Sequence, residues 1–222
     1  MTARFVGVLD EVGAAICAGA LAPGDAVTAQ EIERSSGASR SVVREAMRVL
    51  ETLGLVRPVR RVGLVVAPRA AWNTLDARVI RWTLASPARA EQVRQLREMR
   101  IAIEPEAARL AAGATPAHAG AIVAAAGELW AARDGDDFGE RDAAFHRLVL
   151  EASGNALFVR LADVIDEALR DRWHVDMADR AVDHADAQLH LDLAAHIQRG
   201  EADAAWSAAR EIVTRTADDS ER

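Results

Sequence analysis

The chain has no lysine: all 27 of its basic residues are arginine. Set beside the abundance of alanine, this reads as a bias of genomic base composition, so an arginine here is not by itself a functional choice. There is one cysteine, Cys17. A single thiol excludes an internal disulfide and fits a reducing compartment. No uninterrupted apolar run approaches the roughly 20 residues needed to span a bilayer. The first twenty residues carry Asp10 and Glu11 inside their apolar pattern, which argues against a signal peptide. No internal repeat or low-complexity segment stands out. These absences lead to the expectation of a cytoplasmic protein with no membrane partner. What is present is a chain of 222 residues, half of them hydrophobic. That is enough for one large or two modest domains, each with a core of its own.

The net charge of -7 argues against a nucleic-acid partner until it is divided along the chain. Residues 1–69 carry a net +2 and residues 70–222 a net -9. Between positions 39 and 69 there are 7 arginines and only 2 acids, Glu45 and Glu51. The positive field is local, as expected of a small nucleic-acid module joined to an acidic domain.

That basic stretch centres on a helix expected from Ser39 to Leu55. Ser39 is a suitable N-cap, its hydroxyl able to accept from an orphan backbone N–H. Val43, Met47, Leu50 and Leu53 form an apolar stripe, and Gly54 stands where helices end. Arg40, Arg44 and Arg48 recur every four residues and so share one face. Taken alone, the segment is equally an amphipathic helix with a solvated basic face or a recognition helix.

Its flanks favour the second reading. Residues 5–18 carry helical periodicity, Pro23-Gly24 marks a loop, and Thr28 can cap a short helix over 29–36. Ser36-Gly37-Ala38 is a tight turn, so helix, turn and helix follow in the helix-turn-helix order. After Gly54 the period changes. Segments 55–59 and 63–67 are β-type, with Arg60 and Arg61 at the bend of a two-stranded wing. Either arginine could be merely a solvated turn residue; beside a helix-turn-helix, DNA contact is the favoured role. Beyond residue 73 helical segments run to the end, at 75–85, 91–112, 116–133, 138–153, 156–176, 187–199 and 202–215. The expected fold is mainly α, an N-terminal winged helix-turn-helix (1–69), a linker (70–73) and a C-terminal all-α helical bundle (74–222).

The blocks Gly19 to Asp25, Ser39 to Ala46, Leu50 to Val56, and Gly63 before its valine-rich strand resemble, in order and spacing, the winged helix-turn-helix of the GntR family. The resemblance implies double-stranded operator DNA as a partner. Its contacts would be Ser39, Arg40, Ser41, Arg44, Arg48, Arg60, Arg61 and Gly63. Two positions depart from the family pattern. Thr28-Ala29-Gln30-Glu31 replaces the usual Pro-Ser/Ala-Glu-Arg, and Val62 stands where arginine is common. The second part resembles the FCD domain of the FadR subfamily, through Arg100 to Ala112, Asp142 to His146, Ala152 to Asn155 and His190 before Gly200. The junction from Val66 to Trp82 is similar to that of sugar-acid regulators in this subfamily.

Asp142 and His146, four residues apart on one helix, can aim at one point, and His190 could join them from a facing helix. Spacing alone also allows a simple Asp–His hydrogen bond with His190 elsewhere. The resemblance implies that all three are ligands of a divalent metal, with zinc suited to the imidazoles. It also places Ile212 at a fourth ligand position that isoleucine cannot serve, and His196 points too far from His190 to replace it. Arg100, among apolar neighbours, needs an anion if it faces inward. That anion is either Glu104 at i+4 or, as the resemblance implies, the carboxylate of an effector such as an aldonate. Arg170, Arg172 and Trp173 could line the same cavity, with Asp142, His146 and His190 also touching the effector. Asn155 is expected to N-cap its helix. The function so implied is an effector-responsive repressor acting as a homodimer. A metal sensor or a metal-dependent enzyme are the alternatives, although no residue at a suitable spacing presents itself as a general base.

Overall fold

The computed structural model describes residues 2–173 and 184–218. Among the described residues are eleven α-helices and one small sheet. The chain divides into two compact units, Met1–Gln92 and Val93–Arg222.

In the first unit α1 (Ala3–Cys17), α2 (Ala29–Ser36) and α3 (Arg40–Thr52) close on a core that includes Phe5, Leu9, Ile16, Val43, Ala46 and Leu50. Thr28 caps α2 as expected. Its hydroxyl accepts from the Glu31 N–H at 3.3 Å and donates to the Glu31 carboxylate at 2.6 Å, which holds the capping oxygen in place. Ser39 stands at the N-cap of α3 in extended conformation, but its hydroxyl makes no capping bond and lies 3.0 Å from the Ser41 hydroxyl. The far end of α3 closes as a Schellman motif. The Leu55 N–H reaches Leu50 O at 3.0 Å and the Gly54 N–H reaches Glu51 O at 2.9 Å. Gly54 has φ 73°, and a Cβ there would lie 2.1 Å from Ala71 O, so both backbone and space require glycine.

The wing is the hairpin of β2 (Val56–Val59) and β3 (Gly63–Val66), as expected. A third strand, β1 (Ala26–Val27), adds antiparallel to β3 with Ala26 opposite Val65. Two residues are too short to show a period, so the sequence gives no expectation of a strand there.

The segment expected as a linker is fixed to the first unit. Arg69–Ala71 form a 3₁₀ turn, the Trp72 indole donates to Ala67 O at 3.1 Å, and the Asn73 N–H donates to Leu53 O at 2.8 Å. Helix α4 (Ala77–Leu84) then packs on α1. Its Trp82 donates to the Asp10 carboxylate at 3.0 Å and lies over Gly13, where a Cβ would come within 2.5 Å of the ring. The division between units falls at 92/93 rather than at the expected 73/74, and α4 stays with the winged side through its packing on α1, a long-range contact invisible to local composition.

The second unit contains most of α5 (Arg89–Ala111), then α6 (Pro116–Trp130), α7 (Gly135–Ala152), α8 (Ala156–Val159), α9 (Ala162–Asp171), α10 (His184–Arg199) and α11 (Ala202–Asp218). Its core joins alanines of α5 and α6 to Phe145, Leu150, Ile165, Leu193, Ile197 and Ile212. The single helix expected over 156–176 is two. The four residues of α8 bury none of their side chains and leave Leu157 exposed, whereas α9 buries Ala162, Ile165 and Leu169, so the chain must turn a new face inward between them. The expected end of that helix at Asp176 lies outside the described residues. Asn155 caps α8 as expected, accepting from the Leu157 N–H at 3.0 Å.

Candidate nucleic-acid interface and candidate metal centre

All eight residues expected to meet DNA are exposed: Ser39, Arg40, Ser41, Arg44, Arg48, Arg60, Arg61 and Gly63. On α3 the buried positions Val43, Ala46 and Leu50 turn the opposite face inward and leave the arginine edge outward. At the wing tip the Val62 N–H donates to Val59 O at 3.1 Å, tightening the bend. Arg61 closes this bend at φ 66°, a left-handed conformation that costs a non-glycine residue energy. Gly63 follows at φ 105°, and no neighbouring atom lies within 4 Å of where its Cβ would be. The backbone demands glycine there, while the space beside it is open to an approaching strand.

The second site is buried and lies wholly within the helical unit. From α7, Asp142 Oδ1 and His146 Nε2 stand 3.3 Å apart. From α10, His190 Nε2 lies 3.1 Å from the same oxygen and 3.4 Å from His146 Nε2. Asp142, His146 and His190 are 1%, 4% and 0% exposed, so bulk solvent does not screen them. One oxygen and two nitrogens thus form a triangle.

Each corner is oriented from behind. His146 Nδ1 is 2.6 Å from Glu104 Oε2, and His190 Nδ1 is 2.8 Å from Asp186 O. Both partners are acceptors, so both Nδ1 atoms carry the proton and both Nε2 lone pairs face the triangle when the rings are neutral. Asp142 Oδ2 accepts from the Trp173 indole at 3.2 Å, while buried Oδ1 makes no hydrogen bond. Trp173 is fixed by its ring contact with Phe138, centroids 4.5 Å apart, and by the lack of a side chain at Gly139.

Three electron-rich atoms pointed at one buried spot require a positive charge there. An ion about 2.0–2.1 Å from each of three tetrahedral ligands would space them about 3.3–3.4 Å apart. The observed 3.1, 3.3 and 3.4 Å fit that requirement, and the donor set suits a divalent cation. A proton is the other candidate. Burial alone would push the His146 imidazolium down, but the Glu104 and Asp142 carboxylates outweigh it and hold its pKa up at about 9. Burial likewise opposes the charge of Asp142, yet His146 and His190 keep it well below the ordinary carboxylate range.

Arg100, on α5, is 4% exposed and faces inward. Its anion within the chain is Glu104, with Nε to Oε1 at 2.5 Å and Nη2 to Oε2 at 3.4 Å. Burial opposes the Glu104 charge too, and Arg100 and then His146 overcome it, lowering its pKa to about 2. The same carboxylate thus joins the arginine to the imidazole. The sequence offers Glu104 only as a partner for Arg100. Its place four residues along the inward face of α5 was the available signal; its meeting with α7 was not. Trp173 touches the cluster through its indole bond to Asp142. Arg170 does not: it is exposed, and the inward arginine of that segment is Arg172, whose guanidinium lies over Trp173 at 5.0 Å. Ile212 is buried in the apolar core, and His196 pairs with Glu201 at 2.6 Å, away from the triangle.

Residues 6–66 match the family described as bacterial regulatory proteins, gntR family, and residues 95–215, more than half the chain, match the FCD domain. The chain belongs to the GntR family and carries an FCD domain. As such it is a DNA-binding transcriptional regulator, not an enzyme. This GntR-family regulator is 31% identical over 206 residues to the galactonate operon transcriptional repressor of Escherichia coli K12, covering 91% of this chain and 90% of that one. An HTH-type transcriptional regulator of the same organism, YieP, is 27% identical over 199 residues, covering 88% and 84%. Among solved structures, Lar, which controls expression of the Listeria monocytogenes agr system, matches with a TM-score of 0.65 at 15% identity, covering 100% of this chain and 98% of that one. At that identity the likeness speaks for the fold alone.

Proposed function

We propose that this regulator is a cytoplasmic repressor that binds a palindromic operator as a homodimer and leaves it when a small carboxylate metabolite, of the sugar-acid class, enters the helical domain. Asp142, His146 and His190 hold a divalent cation, best fitted by zinc, and the cation presents an open side to the metabolite. Such a cation acts as a Lewis acid for carboxylate and α-hydroxyl oxygens. Arg100 and Trp173 stand beside those ligands and complete the recognition of the acid. The observation that carries this reading is the triangle of ligand atoms, 3.1 to 3.4 Å on each side, with every ligand oriented by a second partner. The sugar-acid class is supported by the likeness to the galactonate operon repressor. Ligand binding would act by differential affinity for two states of the regulator rather than by a push along the chain.

Ser39, Arg40, Ser41, Arg44, Arg48, Arg60, Arg61 and Gly63 form the reading surface. Phosphate contacts would set position and the α3 arginines would reach base edges in the major groove. The test is a thermal-shift series with aldonates and related sugar acids, run before and after chelation and paired with operator binding. Stabilisation by at least one acid that chelation removes, with release from operator DNA, is the expected result. No response to any acid or to chelator would refute the site.

A further inference from the structure

One carboxylate serves two masters in the buried cluster. Glu104 Oε2 lies 2.6 Å from His146 Nδ1, and the same carboxylate takes the Arg100 guanidinium through Oε1 at 2.5 Å. His146 turns its other nitrogen to Asp142 and His190, so a path of three side chains runs from the arginine to the metal position. Asp186, 3% exposed, also bears electrostatically on Arg100, as does Asp142. The arginine therefore lies among three buried acids, and an incoming anion would be repelled by all of them unless a cation arrives as well.

We propose that Glu104 is a positioning residue that couples the two halves of the site, so that an anion on Arg100 and a divalent cation on His146 each tighten the binding of the other. This rests on the assignment of a metal and a carboxylate ligand to this cluster made above. When an anion draws the guanidinium from Glu104, the whole charge of that carboxylate turns to the His146 Nδ1–H. A stronger acceptor there makes Nε2 a better ligand. In the opposite direction, a cation at Nε2 draws His146 Nδ1–H toward Glu104, which loosens the hold of Glu104 on Arg100 and frees the guanidinium to take an anion in bidentate fashion. The two effects are one coupling free energy and must be equal.

The sign of this coupling separates it from a structural role. A merely structural ion pair predicts that breaking it from either end weakens the site. Coupling predicts opposite outcomes. Arg100→Met, which releases Glu104 to His146, tightens zinc binding. Glu104→Gln, which keeps the size and an acceptor oxygen, weakens it by about 10–100-fold.

Zinc affinity of the full chain, measured by competition with a chromophoric chelator, tests this without knowledge of the metabolite. The four-member cycle of wild type, Glu104→Gln, Arg100→Met and the double variant decides it. Arg100→Met should tighten zinc binding several-fold in the wild-type background and leave it nearly unchanged in the Glu104→Gln background. An equal gain in both backgrounds means that the arginine acts through its field alone and overturns the coupling while leaving the metal site standing. Failure of the wild type to bind zinc overturns the metal site itself and the coupling with it. If Glu104→Gln does not fold, Glu104→Asp takes its place, since the shorter side chain cannot reach both partners. With galactonate as probe, the wild type should bind zinc about 5–150-fold tighter, and Glu104→Gln should show a smaller gain, keeping only what direct contact of the acid with the cation supplies; an equal gain in both overturns the coupling.

Discussion

The arginines of the reading head and the arginine of the buried cluster carry the same charge and live under opposite rules. Arg40, Arg44 and Arg48 stand on an exposed edge of α3, and Arg60 and Arg61 at an exposed bend, where water solvates them at little cost. Arg100 is 4% exposed and held by Glu104, which is itself held by His146. Exposed charge is available to a partner without strain on the fold. Buried charge is stable only while its own partners remain, so the fold and the site are written in the same residues. A substitution on the first surface should leave stability untouched, whereas one at the second reaches the fold and the site at once.

The sharpest break of that comparison is Glu104→Ala. It leaves Arg100 buried with its main partner gone, and the helical unit should lose about 3–5 kcal/mol; chemical denaturation followed by helical circular dichroism would measure it. A loss below 1 kcal/mol would mean that water or Asp186 takes over. Asp142→Asn comes next. It removes the charged corner of the triangle while keeping the Trp173 partner atom, and zinc affinity should fall by at least tenfold, read by chelator competition. Arg44→Ala then probes the other side. Operator affinity should weaken by about 1–3 kcal/mol, with the unfolding transition unchanged within about 0.5 kcal/mol. A stability loss of the buried kind at this position would erase the distinction. The smallest effect belongs to Arg61→Gly. Relief of the left-handed backbone should add up to about 1 kcal/mol of stability, and the salt dependence of DNA binding should fall by about one ion.

The reading head was nearly all legible in advance. The α3 stripe and the β hairpin are local patterns with periods of 3.6 and 2, the Schellman glycine Gly54 and the Thr28 cap are local end signals, and each appears where the sequence placed it. The exceptions have local reasons. The two-residue β1 carries no period, and the Ser39 hydroxyl found Ser41 in place of a backbone N–H. Residues 70–73 resembled a linker because their composition does not reveal that Trp72 and Asn73 reach back to Ala67 and Leu53.

The buried cluster was legible only in part. Asp142 and His146 share one helix, so their common aim followed from the i, i+4 rule. His190 joins them from α10, forty-four residues later, and family resemblance rather than spacing pointed to it. The choice between Arg170 and Arg172 was open, because the face that α9 turns inward depends on the break after α8.

By itself the sequence determined the two-part architecture, the exposed arginine edge, the hairpin beside it and the inward pair on α7, because neighbours in sequence with a regular period are neighbours in space. Only the tertiary structure decided that Glu104 stands between Arg100 and His146, that Trp173 holds the second oxygen of Asp142, and that α4 belongs with the winged unit. Those meetings bring together side chains from different helices. Their distances are set by how apolar faces pack, and no local spacing encodes that.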